Sequence, residues 1–166
     1  MWLFTGQGAH WHTMGRAMYQ HSAAFAQCLD HCFAACATTL TPSLQEAMFH
    51  ADTTLLENMA WTQPAIVAFG VSMAAHWRAQ GLEPDFAIGH SVGEFAAAVV
   101  CGHYTIEQIM PLVCQRGALM QQCSNGGMVA VFAEETMLLP IADECGLDLA
   151  ATNARSIAYS LGLKTT

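Results

Sequence analysis

Ser91 is the residue with the clearest capacity for chemistry, because of what flanks it. It stands in Gly89-His90-Ser91-Val92-Gly93, preceded by the short apolar run Phe86-Ala87-Ile88 and followed by the helix-forming Glu94-Phe95-Ala96-Ala97-Ala98. This order predicts a strand, a tight turn and a helix with a serine at the apex. A turn that sharp leaves no room for Cβ atoms beside the serine and favours strained backbone angles, which explains glycines at 89 and 93. The hydroxyl is then presented at the C-terminal edge of a sheet, where free backbone N–H groups and the helix dipole favour a developing oxyanion. The chemistry expected of such a residue is nucleophilic attack on an acyl carbon.

A serine hydroxyl is a weak nucleophile without a base, normally a histidine within hydrogen-bond reach. The chain has eight histidines. His103 falls beyond the helix that starts at Ser91, about 15 Å away at a rise of 1.5 Å per residue. His90 adjoins Ser91, and neighbouring side chains of an extended segment point to opposite faces. His21, His31, His50 and His76 lie in helical stretches with no evident route to the elbow, which leaves His10 and His12, beside the Gly6–Gly8 loop, as the in-chain candidates. A hydrolase order of Ser, Asp and then a late His is excluded, since no histidine follows His103.

Arg116 is the second residue of chemical interest. It falls on the apolar stripe Ile109, Val113, Met120 of a helix expected over Thr105 to Gln122, capped by Thr105 and Gln108. A guanidinium in line with core residues is costly unless an anion or a hydrogen-bond network meets it. The alternatives are an arginine that snorkels to the surface or pairs with Glu94 or Glu107. Two further groupings invite a metal: Cys28, Cys32 and Cys36 at helical spacing with His31 alongside, and His10-Trp11-His12. Neither matches a zinc pattern, and small apolar residues on a packed helix face explain the cysteines, so no metal is expected.

The elements that must position these residues follow from pattern. Trp2–Thr5 is β-prone and runs into Gly6-Gln7-Gly8, as a first strand of an α/β sheet would. Met14–Leu40 reads as helical, Leu44–His50 as a short helix opened by Thr41-Pro42-Ser43, and Asp52–Asn58 as a helical turn. Thr62-Gln63-Pro64 starts a long apolar helix over Ala65–Gln80, stopped by Gly81. The texture changes at Ser124-Asn125-Gly126-Gly127. Beyond it, Met128–Phe132, Glu134–Cys145, Leu147–Ala151 and Ile157–Leu161 read as strand, helix, strand, strand. The fold class is therefore α/β, with a division into residues 1–124 and 125–166.

Bulk composition narrows the partners. The 166 residues carry a net charge of −8 with five Lys and Arg together, too few cations to neutralise phosphates, which argues against nucleic acid. Only 11% of residues are charged while 54% are apolar, so either part of the surface is expected to be covered by more protein or the chain is expected to be a piece of something larger. The longest uncharged apolar run, Ala65–Ala75, is too short for a bilayer, and no membrane association is expected. Seven cysteines, no Cys-x-x-Cys pair and no signal-peptide pattern at Met1–Gly6 read as reduced thiols in a cytoplasmic protein.

Taken together, Gly89-His90-Ser91-Val92-Gly93-Glu94-Phe95, Phe4-Thr5-Gly6-Gln7-Gly8, Gln115-Arg116-Gly117, Thr62-Gln63-Pro64-Ala65 and Asn125-Gly126-Gly127-Met128 closely resemble the acyltransferase domains of modular type I polyketide synthases, relatives of malonyl-CoA:acyl-carrier-protein transacylase. The resemblance runs along essentially the whole chain. It implies a hydrolase-like parallel-sheet core with the start of an inserted ferredoxin-like α+β subdomain. It implies that Ser91 carries the acyl group as an ester, that the backbone N–H groups of Gln7 and Val92 form the oxyanion hole, and that Arg116 grips the free carboxylate of the acyl unit. His90, Gln63 and Asn153 fall where the family lines its substrate pocket. No bound cofactor is implied: malonyl-CoA is the donor, and the phosphopantetheine of an acyl carrier protein is the acceptor. Neighbouring polyketide synthase domains, on the ketosynthase side, are the further partners implied.

Val92 and the stretch Asn58–Gln63 look more like malonyl-selective than methylmalonyl-selective domains. Departures are His10 in place of the usual Gln, Pro111 inside a regular helix, and an irregular Asn153-Ala154-Arg155 turn. The family's catalytic histidine falls beyond residue 166, so the chain is expected to be a C-terminally truncated acyltransferase with poor transfer activity. The rival readings are a serine esterase and a non-catalytic remnant.

Overall fold

The computed structural model describes residues 1–50, 54–123, 126–154 and 157–163. The chain divides into two compact units, Met1–Gln122 and Cys123–Thr166.

In the first unit a small parallel sheet is formed by β1 (Trp2–Phe4) and β2 (Ala87–Gly89), with Leu3 opposite Ile88 and Phe4 opposite Gly89. Two links extend the pairing at either end: the Trp2 N–H donates to the Phe86 carbonyl at 2.8 Å, and the His90 N–H to the Phe4 carbonyl at 2.9 Å. The alternation of a strand puts Trp2, Phe4 and Ala87 half-buried while Leu3 and Ile88 are exposed. Phe86 is exposed as well, and these residues are part of the apolar composition that reaches the surface.

The helices are α1 (Arg16–His21), α2 (Ala23–Cys36), α3 (Leu44–Phe49), α4 (Met59–Ala79), α5 (Gly93–Val100) and α6 (Ile106–Gln121), with a 3-10 turn at Leu55–Glu57. At the centre is α4, with Ala65, Val67 and Ala68 fully buried and Phe25 and Leu29 of α2 and Val113 of α6 completing the core. Its buried polar groups are satisfied at short range. The Thr62 hydroxyl reaches the carbonyls of Leu56 and Asn58, and the Ser72 hydroxyl donates to Ala68.

Two of the helices depart from the sequence reading. The single helix expected over Met14–Leu40 is two, because Ser22 is extended (φ −132°, ψ 109°) and caps α2 by accepting from the Phe25 N–H. Its hydroxyl also pairs with His76 Nδ1 of α4 at 2.8 Å, a contact across 54 residues that no local pattern contains. The central helix begins at Met59, one turn before Thr62, because Asn58 caps it through the Ala60 N–H. Gln121 of α6 accepts from the Met59 N–H, and Pro64 sits inside the helix. Of the turn expected over Asp52–Asn58, residues 51–53 lie outside the described residues, and the rest is the 3-10 turn. The capping box of Thr105 with Gln108 is present as expected.

The second unit has β3 (Gly126–Val131), α7 (Glu135–Cys145), β4 (Leu147–Ala154) and β5 (Ile157–Leu163). Its sheet is antiparallel in the order β3-β5-β4, and Gly146 ends α7 in the left-handed conformation (φ 65°). Among the described residues, no helix is long and apolar enough to cross a membrane.

Candidate active site at the Ser91 elbow

The elbow is built as its residue types require. Ser91 joins β2 to α5 with φ 54°, a left-handed conformation that non-glycine residues adopt at a cost of about 1–2 kcal/mol, and its side chain is exposed. Gly89 and Gly93 are forced by close approach. A Cβ on Gly89 would lie 2.2 Å from the Glu94 nitrogen, and one on Gly93 would lie 2.3 Å from the Phe4 carbonyl oxygen and 2.6 Å from that of Thr5. The turn is closed by the Gly93 N–H on the His90 carbonyl and the Glu94 N–H on the Ser91 carbonyl.

The glycine loop after β1 abuts this turn. A Cβ on Gly6 would meet His90 Nδ1 at 2.8 Å and Ser91 Cβ at 3.4 Å, so Gln7 follows directly on a residue in contact with the nucleophile. Among the described residues neither the Gln7 nor the Val92 N–H donates a hydrogen bond. Two unspent donors beside a serine at the start of a helix are what stabilisation of an oxyanion needs.

Arg116 is half-buried and meets no carboxylate among the described residues. Its Nη1 donates to Gln63 Oε1 at 2.5 Å, and its guanidinium lies 5.9 Å from the centroid of the Phe95 ring. Phe95 is four residues beyond Ser91, on the helix that the elbow opens. The pairing of Arg116 with Glu94 or Glu107 left open by the sequence does not occur; Glu107 instead pairs with His31. Gln63 is fully buried and its Nε2 donates to Met120 Sδ at 3.1 Å. His90 is exposed beside Ser91, and Asn153 lies on β4 of the second unit with its side chain outside the described residues.

No histidine hydrogen-bonds to Ser91 among the described residues. His76 is engaged with Ser22 and His31 with Glu107, while His21, His50 and His103 are exposed on other elements. Of the two candidates at the glycine loop, His12 is exposed. His10 is half-buried, with Nδ1 enclosed and unpartnered. Burial, and then the neighbouring His12, lower its pKa from 6.5.

Among the described residues no group of three or more metal-ligating side chains converges. Cys32 and Cys36 are buried, and the Cys114 thiol donates to Cys36 Sγ at 3.4 Å. Two open cavities flank the site. The larger, about 590 Å³, is lined by apolar side chains of β1 and α4 and reaches the elbow only at Gly93. The smaller, about 390 Å³, starts at Phe95 and Glu94 and continues past Ala98, Tyr104 and Leu112. Ser91 lines neither cavity.

Comparison with known proteins gives the family. The family described as the acyl transferase domain matches residues 1–160. A polyketide synthase of Mycobacterium marinum, the phenolphthiocerol synthesis polyketide synthase type I Pks15/1, is 39% identical over 160 residues, which are 95% of this chain and 8% of that protein. The solved loading acyltransferase of the avermectin modular polyketide synthase is 31% identical, with a TM-score of 0.91 over 97% of this chain and 53% of its own. The malonyl CoA-acyl carrier protein transacylase of Burkholderia pseudomallei is 28% identical, with a TM-score of 0.82 over 98% of this chain and 56% of its own. This chain thus spans about half of such solved domains and under a tenth of the synthase. An exposed serine elbow, a glycine loop against it and an arginine without an acidic partner are its local counterpart: the chain belongs to the acyl transferase domain family.

Proposed function

We propose that this chain carries the acyl-accepting serine and the carboxylate clamp of a malonyl-type acyltransferase that moves an acyl unit from malonyl-CoA to an acyl carrier protein. The observation that carries the reading is Arg116, half-buried, which among the described residues meets only the neutral Gln63 and the Phe95 ring of the helix that Ser91 leads into. A guanidinium so placed offers bidentate geometry to a carboxylate. In the first half-reaction Ser91 Oγ attacks the thioester carbon of malonyl-CoA. The Gln7 and Val92 N–H groups receive the oxyanion; as it collapses to the ester the C–S bond breaks, and CoA leaves as the thiol with the proton that Ser91 Oγ gives up. In the second half-reaction the phosphopantetheine thiol of the carrier protein attacks the Ser91 ester and restores the hydroxyl. His90 and Asn153 belong to the substrate's surroundings in this reading.

The same reading treats residues 1–124 as the hydrolase-like core. Residues 125–166 are then the start of a ferredoxin-like α+β subdomain, supported by the strand-helix-strand-strand order and the β3-β5-β4 sheet. Neighbouring polyketide synthase domains and a cytoplasmic setting complete it.

The test is loading with labelled malonyl-CoA. Since no histidine pairs with Ser91 among the described residues, the chain alone is expected to load slowly, and Ser91→Ala abolishes the label. Arg116→Ala cripples malonyl loading but leaves reaction with a neutral ester largely intact. Rapid loading that survives Ser91→Ala, or equal loss of both substrates in Arg116→Ala, overturns the proposal.

A further inference from the structure

Gln63 is a polar side chain with no solvent exposure in the middle of an apolar helix, and its surroundings define what it does. We propose that Gln63 is a positioning residue, which fixes the Arg116 guanidinium for an incoming carboxylate without neutralising it. The inference rests on the reading of Arg116 as the clamp for the acyl unit's carboxylate.

The carboxamide has one workable orientation. Oε1 accepts from Arg116 Nη1 and Nε2 donates to Met120 Sδ; the flipped amide would set its NH2 against a guanidinium that has donors only. Because the side chain is fully enclosed, it reaches a substrate only through Arg116. The guanidinium is thus held by residues of two other helices, with Gln63 of α4 on one nitrogen and Phe95 of α5 beside the group. Its other N–H groups have no partner among the described residues, and a side chain with several rotatable bonds is ordered before a ligand arrives.

The choice of amide over acid is the informative part. A glutamate has the same shape, and a buried arginine is ordinarily met by a carboxylate. An acid at position 63 would fill the site from inside and compete with the ligand's carboxylate; the neutral amide orients the cation and leaves its charge unspent. The backbone is arranged to bring the pair together. Gly117, next to Arg116, lies so close to α4 that a Cβ there would meet the Met59 carbonyl oxygen at 2.4 Å.

The test titrates malonyl-CoA and acetyl-CoA, which differ by the free carboxylate, into the full chain carrying Ser91→Ala, with Arg116 side-chain N–H resonances followed by NMR. The parent prefers malonyl-CoA, and Arg116→Ala removes the preference; equal affinities in the parent, or a preference that survives Arg116→Ala, refute the clamp reading itself. Gln63→Glu is expected to cut the preference at least about tenfold, as a filled clamp would. Gln63→Met, which keeps volume and drops the acceptor, is expected to weaken malonyl-CoA about tenfold, the worth of a hydrogen bond to a charged group. It leaves acetyl-CoA unchanged and broadens the Arg116 Nη signals by freeing rotation. Should Arg116→Ala lose the preference while a folded Gln63→Glu or Gln63→Met keeps it, the positioning role is overturned and the clamp stands.

Discussion

Alanine at Gly93 is the perturbation that most directly probes how the elbow is held. The added methyl would lie 2.3 Å from the Phe4 carbonyl oxygen and 2.6 Å from that of Thr5, about 1 Å inside normal contact. Both obstacles are backbone atoms of the strand end and the glycine loop, so relief requires moving β1 off α5. Overpacking of this kind costs about 1–3 kcal/mol, and a clash with immobile atoms sets it near the upper end. The helix-propensity gain of alanine over glycine, about 1 kcal/mol in a helix interior, is smaller at the first helical residue. The net expectation is a loss of about 2–3 kcal/mol.

Gly70 of α4 supplies the control. A Cβ there would meet Phe4 Cδ1 at 3.1 Å and the Ala96 methyl at 3.3 Å. An aromatic ring can yield by a few tenths of an ångström, and Gly70 is in a helix interior where alanine gains about 1 kcal/mol. Gly70→Ala should therefore be neutral to within about 1 kcal/mol. Urea denaturation followed by far-UV circular dichroism ranks the two. Labelling of Ser91 by a serine-reactive phosphonate reports whether the loop at Gly6 still abuts the nucleophile. Equal stability of Gly93→Ala and Gly70→Ala would refute the close seating of β1 on α5, and with it the account of how the elbow faces Gln7.

Two titratable groups give further expectations. The Cys28 thiol is pulled down to about 7, chiefly by the hydrogen bond from Cys32, with help from Ser72 and His31 and against the effect of burial. Its alkylation by iodoacetamide should rise through pH 7 and then level off. Cys32→Ala should move the midpoint toward the ordinary thiol value of about 8.5; an unmoved midpoint would contradict the Cys28–Cys32 pairing. His10 has a folded pKa below the model-compound value of 6.5, so the unfolded chain takes up its proton more readily. The stability tied to this group is complete above pH 6.5 and is lost as pH falls through that value toward the folded pKa. His10→Gln should flatten the fall in urea midpoint on acidification, and an unchanged slope would show that His10 is freely solvated.

Local chemistry made the elbow legible. Gly89, Ser91 and Gly93 announce a turn with one left-handed residue, and five residues of sequence contain that pattern; the atoms that leave Gly93 no room for a Cβ, the Phe4 and Thr5 carbonyls, come from the end of β1. The helix from Ile106 was equally readable, since Thr105 and Gln108 cap it through bonds three residues apart. The break at Ser22 was not readable, because its reason includes His76, on another helix; nor was the early start of α4, to which Gln121 contributes from α6.

Arg116 shows the division most clearly. Its place on an apolar stripe left two readings, a charge met by an anion or a hydrogen-bond network and an arginine that snorkels or pairs with Glu94 or Glu107, and the resemblance of the motif around it implied a carboxylate. Which groups hold it was a question of helix packing. Gln63 lies 53 residues away, Phe95 comes from a third helix, and Gly117 sets how near α6 comes to α4. Spacing along a chain fixes which residues share a turn or a helix face. The meeting of a buried amide and a guanidinium from separate helices depends on how those helices pack, and that was decided only in three dimensions.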